Sequence, residues 1–455
     1  MTIYPRGVST LLLLSTLILL LPSVAPAQDL INLGTLPGLN PAQAQVGSAI
    51  DVICPQLAQK GSSLTSAQQD LLGRCSDMKV PGRLSLGQLP DVLGKVTSEE
   101  TSTQGTSSIE TRTLQVRAIG ARLAALRLGA TGLSLSGLGI QLDGKSVAAA
   151  ILDLNERAGG ASADGAPGSR VGAFVNGLGS FGSKDRTNRE QGFDFHSAGV
   201  TAGVDYRFTD NLVAGLSFSY LRTKADLNFT LGDVESRSPS LSLYGTYYVG
   251  PVYVDVLSGF TWHDYDTARR IVYSPPPGSI AQAVDRTARG DTDGRQFTLN
   301  VGAGYDFRQA GFTMTPYARM EFLNLDIDGY RERGADGLDL RIKNQTVESL
   351  LTVFGGRVAY ALSVPFGVLV PQVRGEWRHE HLNDQRSIRA LFANDPFTVG
   401  FLIPTDSPYR DYFAFGTGIA SVFKKGVAAF LDFETVLGLR GVTNHNLTAG
   451  VRIEF

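Results

Sequence analysis

The sequence closes on NLTAGVRIEF, residues 446–455. Leu447, Ala449, Val451, Ile453 and Phe455 share one parity; Thr448, Gly450, Arg452 and Glu454 share the other. Strict alternation predicts a β-strand with one apolar face. The pattern recurs upstream. GVTAGVDYRF (199–208) sets Val200, Ala202, Val204, Tyr206 and Phe208 against Thr201, Gly203, Asp205 and Arg207, and NLVAGLSFSY (211–220) puts Leu212, Leu216 and Phe218 on one side. Counting in RVGAFVNGLGSF (170–181), SLSLYGTYYV (240–249), PVYVDVLSGFTW (251–262), QFTLNVGAGYDF (296–307), FTMTPYARMEF (312–322), SLLTVFGGRVAY (349–360), VLVPQVRGEW (368–377), DYFAFGTGIASVF (411–423) and VAAFLDFETVL (427–437), about twelve strands are predicted.

Alternation alone fits a soluble sandwich as well as a transmembrane barrel. Three features select the barrel. Short turns at 209–210, 250, 309–311, 364–367 and 424–426 alternate with long polar stretches at 182–193, 223–238, 265–293, 326–345, 380–408 and 438–445, the pattern of short periplasmic turns and long outer loops. An even strand number returns the last strand to the rim where the first began. The polar parity also carries charges deep in the strands. Asp205, Asp255, Arg319, Glu321, Arg357, Arg374, Glu376, Asp432, Glu434 and Arg452 suit a wet lumen better than a sandwich surface, which would also carry many lysines. All of these, with Arg207, Asp306 and Glu454 of the same parity, are expected to face the lumen.

The chain has 455 residues, a net charge of −2, 52 glycines, 23 Phe and 15 Tyr. Near-neutral charge gives no basic stripe for nucleic acid. The N-terminus reads as an export signal over residues 1–27. Arg6 precedes the apolar run LLLLSTLILLL (11–21), and Ala25 and Ala27 set up cleavage before Gln28. Export places Cys54 and Cys75 in an oxidising space, so a disulfide is expected. These cysteines lie in two helical patterns, 41–61 and 64–78, where Thr65 and Gln68 have capping-box spacing. Residues 97–108 read as a polar linker. Residues 109–132 read as a helix, with Leu114, Ile119, Leu123 and Leu126 among Arg112, Arg117, Arg122 and Arg127, and 144–160 as a shorter amphipathic helix. The Gly/Ala/Ser/Pro-rich segment 160–169 marks the boundary with the strands.

Residues 170–455 resemble the autotransporter β-barrel, the translocator of type V secretion. The carrying stretches are RVGAFVNGLGSFG, GFDFHSAGVTAGVDYRFTDNLVAGLSFSY, the run from PYARMEF to VFGGRVAYAL, VPQVRGEWRHEHLNDQR and the terminal LTAGVRIEF. The resemblance implies a twelve-stranded outer-membrane barrel in a Gram-negative envelope, reached through Sec export and Bam-type assembly, acting as a monomer in outer-membrane lipid. It also implies a helix in the lumen leading to a passenger. The helices at 145–158 and 110–128 are the two candidates. Val451, Ile453 and Phe455 resemble the terminal signal by which such barrels are received for assembly. The expected organisation is therefore a signal at 1–27, a short helical N-terminal or passenger region at 28–108 holding Cys54 and Cys75, a helical linker at 109–169, and the barrel at 170–455.

Other motifs carry little chemistry. GLGSFG (177–182) has dinucleotide-loop spacing but lies within a strand rather than before a helix. His379 and His381 could meet at a strand end, yet a metal site needs further ligands. Some autotransporters carry lipase passengers, but this chain has no GDS tripeptide, no G-x-S-x-G elbow and no His before the barrel. Some cut their own linker with an Asn in the lumenal helix; Asn155 is the only Asn in either candidate helix. No catalytic residue, cofactor or metal ligand is expected. The expected function is an autotransporter translocator that carries its short N-terminal region towards the cell surface. Adhesion through the long outer loops, pore activity and ester hydrolysis are the alternatives.

Overall fold

Twelve antiparallel strands close on themselves. The computed structural model describes residues 30–127, 170–228, 232–382, 384–407, 409–423 and 427–453, together with short backbone ladders at Gly132–Ser134, Gln141–Leu142 and Lys145–Ser146. The export signal with Ala25, Ala27 and Gln28, the candidate cleavage residue Asn155 and the terminal Phe455 lie outside the described residues. Of the helix expected over 145–158, only Lys145 and Ser146 are described, and they pair with Leu142 and Gln141 as a two-residue ladder.

The barrel strands are β1 Val171–Lys184, β2 Phe193–Thr209, β3 Leu212–Leu227, β4 Asp233–Val249, β5 Val252–Tyr273 and β6 Val284–Tyr305. They continue with β7 Phe312–Ile327, β8 Gln345–Tyr360, β9 Gly367–Glu380, β10 Asp411–Phe423, β11 Val427–Leu437 and β12 Val442–Ile453. Each pairs with its sequence neighbour, and β12 closes on β1 from Val442↔Lys184 to Ala449↔Gly177. Towards the other rim, Gly132–Ser134 runs parallel to Gly172–Phe174 on β1. A closed barrel satisfies its backbone internally and has no free edge, which is what a bilayer demands of strands.

The alternation sets the two faces. Leu212, Leu216 and Phe218 are exposed on the outside, where a soluble sandwich would bury them. On β5 the outward row runs Val252, Val254, Val256, Phe260 and Trp262, then turns to Asp264 and Asp266. That apolar row spans eleven residues, the length a tilted strand needs to cross the hydrocarbon. Tyr220, Trp262 and Trp377 mark one edge of the apolar band, and Tyr206, Tyr247, Tyr305 and Tyr360 the other. Such aromatic girdles belong at membrane interfaces.

The stretches expected as long loops need correction. β3 and β4 run through most of 223–238, and β5 and β6 through most of 265–293. With 22 residues, β5 rises roughly 55 Å along a barrel axis at ordinary strand rise and tilt, well beyond the hydrocarbon. Above the bilayer both strand faces are wet or protein-covered, so the apolar alternation stops while the ladder continues. Exposed cross-strand pairs such as Arg222–Glu235 (2.7 Å) and Arg270–Asp285 (2.9 Å) replace it. Residues 326–345 and 380–408 likewise supply a four-stranded sheet from Tyr330–Arg331, Leu340–Ile342, Ser387–Phe392 and Gly400–Pro404.

Among the described residues, four α-helices precede the barrel: α1 Pro41–Lys60, α2 Ser66–Lys79, α3 Leu89–Val96 and α4 Thr103–Arg127. Asn40 caps α1 and Thr65 caps α2, each in a capping box with Gln43 and Gln68 respectively. The Cys54–Cys75 disulfide joins α1 to α2. α1–α3 do not form a separate body. Ile50, Leu57, Leu71, Leu89 and Leu93 share one continuous core with Ile271, Leu338, Phe392, Phe401 and Ile403 of the barrel's extensions. Asp70 accepts from Arg286 (2.5 and 3.0 Å) and from the Gly337 backbone N–H (3.0 Å). The N-terminal region is thus a cap seated on the long-loop end.

The polar linker expected at 97–108 is a second correction. A 3-10 turn at Glu99–Ser102 leads into α4, and Thr97–Gln104 are all buried. The boundary expected at 108/109 falls inside α4. At this junction Arg269, fully buried, spends its guanidinium on the Lys95 and Val96 carbonyls (2.9 Å each), on Glu332 (3.1 Å at Nε) and on the Leu338 carbonyl (3.1 Å), with Glu100 at 3.5 Å. It ties the end of α3 to the barrel's loop sheet. Burial pushes Glu100 up to about 7, with Arg269 opposing and Glu332 adding to the rise. A carboxyl whose folded pKa lies above its unfolded value of 4.5 keeps a proton that the unfolded chain has lost. Its contribution to stability is complete below about 4.5 and is lost as pH rises through about 7. Calorimetry across that window should show cap stability falling with pH, and Glu100→Gln should flatten the slope; identical profiles for the two proteins would contradict this assignment.

Candidate functional site

The candidate site is the lumen, and α4 occupies it. Its 25 residues reach about 37 Å, enough alone to cross roughly 30 Å of hydrocarbon. Its start lies at the long-loop end, where the Gln345 amide donates to Gln104 (3.0 Å). Its end lies at the short-turn rim, where Arg127 meets Asp255 (2.5 Å) and stacks over Tyr253 at 3.6 Å. Arg207 closes the C-terminus by donating to the Leu126 carbonyl (3.2 Å). Of the two helices considered for the lumen, the earlier one therefore fills it.

The helix has two unlike sides. Leu114 and Ala118 pack on Leu178 and Leu221, while Ile119, Leu123 and Leu126 pack on Phe174, Val213, Tyr244 and Leu257. That side rests on β1, β3, β4 and β5. Between Gly120, Ala121 and Ala124 on the other side and strands β6–β9 and β11 lies a cavity of about 170 Å³.

Four arginines seat the helix. Arg112, Arg117, Arg122 and Arg127 recur every five residues. Each step turns about 140° and rises about 7.5 Å, so successive guanidinium groups reach different strands at different depths. Arg112 meets Glu321 on β7 (3.7 Å) and donates to Ser349 (3.1 Å). Arg117 meets Asp432 (2.8 Å) and Glu434 (2.6 Å) on β11. Arg122 takes Asp205 on β2 in a fork (2.8 and 3.0 Å), and Tyr244 donates to the same carboxylate (3.0 Å). Arg127 takes Asp255 on β5.

The wall carries its own network beside Arg117. Arg319 forks onto Glu376 (2.8 and 2.9 Å) and reaches Glu321 (2.7 Å). Arg374 donates to Glu434 (2.8 Å), and Arg378 bridges Glu376 and Glu434. The structure thus brings together Arg319, Glu321, Arg374, Glu376, Asp432 and Glu434 among the residues expected in the lumen. Arg357 also faces the lumen but stands apart from this network. Arg452 pairs with Ala428, and Val451 and Ile453 pair with Ala429 and Val427 through the backbone. His379 binds Asp411 (2.8 Å) and His381 binds Thr352 (2.9 Å) on the outer surface. Sequence reasoning missed the part played by Ser, Thr and amide residues. Gln115 reaches Ser240, Asn176 donates to the Ala118 carbonyl (3.3 Å) and Asn444 donates to Glu110 (2.6 Å). The available signal was the polar parity of the strands, in which Asn176, Ser240 and Asn444 sit.

Buried ion pairs add little net stability over apolar packing, but losing one partner leaves the other a buried, unpaired charge. Asp205→Ala should therefore cost about 3–5 kcal/mol. The double change Arg122→Met with Asp205→Leu should recover most of it. The heat-induced mobility shift of the barrel on gels measures this; equal losses in single and double variants would contradict the seating role.

The family model for the autotransporter beta-domain matches residues 173–434. An extracellular serine protease of Serratia marcescens is 24% identical over 269 residues, 59% of this chain and 24% of that protein. Outer membrane protein A of Rickettsia conorii is 21% identical over 293 residues, 63% of this chain and 14% of that protein. The chain thus spans a quarter or less of these two relatives. The solved translocator domain of the autotransporter NalP from Neisseria meningitidis superimposes with a TM-score of 0.49 at 16% identity, over 68% of this chain and 96% of that one. Given the match over 173–434, the closed barrel and its lipid-facing band, this chain belongs to the autotransporter β-domain family and is an outer-membrane translocator barrel.

Proposed function

We propose that this translocator carries its own N-terminal helices through the lumen and keeps them on the outer face as a fixed lid. One observation carries the reading: α4 threads the lumen from the long-loop end to the short-turn rim, and the chain on its long-loop side folds into a cap that shares a core with the barrel. With the long loops outside, the path from barrel to cap is that of a passenger after transfer. The cap is retained rather than released, because Thr97–Gln104, where a cut would free it, are buried. α4 contains no Asn, so self-cleavage by an Asn within this helix is not available.

The same packing weighs against the alternatives. The loops considered for adhesion, 265–293 and 380–408, give Ile271, Val284, Phe392 and Phe401 to the core under the cap. A wide pore is hard to reconcile with a helix held to the wall at four depths. The work of the barrel is insertion, transfer and anchoring rather than catalysis, with Sec export, Bam-type assembly and outer-membrane lipid as its partners. It acts as a monomer.

An epitope placed at Gln59, exposed near the end of α1, tests this directly. Antibody should label intact cells and the epitope should stay with the outer-membrane fraction. Labelling only after the outer membrane is opened, or recovery of the epitope in the medium, would contradict the reading.

A further inference from the structure

The lipid-facing wall has a hollow across β7–β10. Pro316, Gly356, Gly375 and Phe415 follow one another along the ladder as Pro316↔Gly356, Gly356↔Gly375 and Gly375↔Phe415, all on the outward parity. Among the described residues this is the one place where glycine stands directly opposite glycine on neighbouring barrel strands. The next outward rung towards the long loops carries Phe354 opposite Trp377, whose rings stack at 5.8 Å and 14°. The next rung towards the short turns carries Val358 opposite Val373, with Met314 beside them. Between these rungs lies an open groove of about 300 Å³. Its floor is backbone, because the intervening Arg357 and Arg374 have the lumenal parity.

The wall itself does not require these glycines. Neither has a left-handed φ, and a Cβ on either would meet nothing within 4 Å. Glycine inside a strand weakens it, and without a cause within the sheet it marks close approach from outside. The approaching group lies in hydrocarbon. Trp377, at the edge of the apolar band, gives its indole N–H to Asp411 (3.2 Å), which His379 also binds (2.8 Å). Gly356 and Gly375 sit one outward rung inside that edge, in the half of the membrane nearer the long loops. There, association rests on packing rather than on escape from water, and an unfilled hollow forfeits dispersion contacts. A second copy, related by a two-fold axis through this face, would bring the same hollow against this one and enlarge the void. A single hydrocarbon chain is thin and flexible enough to enter. An apolar cavity of about 150 Å³ already admits benzene.

We propose that this groove is a lipid site, holding one acyl chain of a membrane lipid over Gly356 and Gly375. The chain passes beside the Phe354–Trp377 stack, so that its headgroup lies at the level of His379 and Asp411. The two glycines keep the floor clear, and Val358, Val373, Met314 and Phe415 wall it.

Native mass spectrometry of the full-length protein, released from detergent micelles doped with palmitoyl-oleoyl-phosphatidylethanolamine, tests this. The expected spectrum shows one phospholipid per barrel, held after the detergent has been stripped. With Gly356→Val and Gly375→Val together, the bound fraction should fall about tenfold or more, because the valines fill the floor. The heat-induced gel shift should persist in that variant. Gly356→Ala should lower retention in part, and it makes the same comparison if the double change prevents assembly. Ala214→Val, at a lipid-facing position on β3, should leave retention unchanged. Absence of retained phospholipid on the wild type, equal retention by the groove variants, or a wild-type dimer that the valines split would overturn the proposal.

Discussion

A polypeptide in hydrocarbon must pair every backbone N–H and C=O within itself, and strands do so only by closing into a ring. Closure leaves a hole. With twelve strands the hole is wider than the side chains of the wall can fill, and its lining is polar because the opposite parity has been given to lipid. Most of what is distinctive in this molecule answers that one constraint. α4 fills the hole, and the cap continues from α4 over its outer mouth.

The polar lining explains why α4 is unlike a soluble helix. The barrel wall surrounds it, so most of its residues are buried and it has no broad solvent-facing side. Its arginines are spread round the axis by their five-residue spacing, and its leucines gather only where β1, β3, β4 and β5 offer apolar partners. Desolvating a guanidinium and a carboxylate returns little net stability. What the pairs supply is position: each arginine has its carboxylate at one depth and on one strand, so a helix slipped by one turn would bury four unmatched charges.

The strands were the most legible part of the molecule, because a period of two with lipid on one side admits one reading over a long ladder. Leu212, Leu216 and Phe218 face outward as that reading requires. Strand length was harder to see. Above Trp262 the outward row changes to Asp264 and Asp266, and the strand looks like loop although its hydrogen bonds continue. Thr97–Gln104 misled for a related reason. Ser, Thr and Glu in an eight-residue run suggest a solvated linker, yet here the run is buried and its hydroxyls are met inside, as Ser98 is by Glu100 (2.7 Å) and Thr103 by the Glu100 carbonyl (2.7 Å). The arginine spacing in α4 was visible from the start, but its meaning depended on carboxylates hundreds of residues away, which only the register of the barrel brings to the right depths.

The central claim is that α4 lies inside the closed barrel with its apolar side on β1. Asn176 on β1 donates to the carbonyl of Ala118 at the middle of the helix. Cysteines placed at these two positions bring the claim to a single measurement, oxidative crosslinking of the protein assembled in outer membranes. The account predicts one intramolecular disulfide, formed in high yield in heat-modifiable barrels and not with a control cysteine at Leu216 on the lipid face. Folded barrels that fail to crosslink Ala118→Cys to Asn176→Cys, or that crosslink position 118 as readily to position 216, would contradict it.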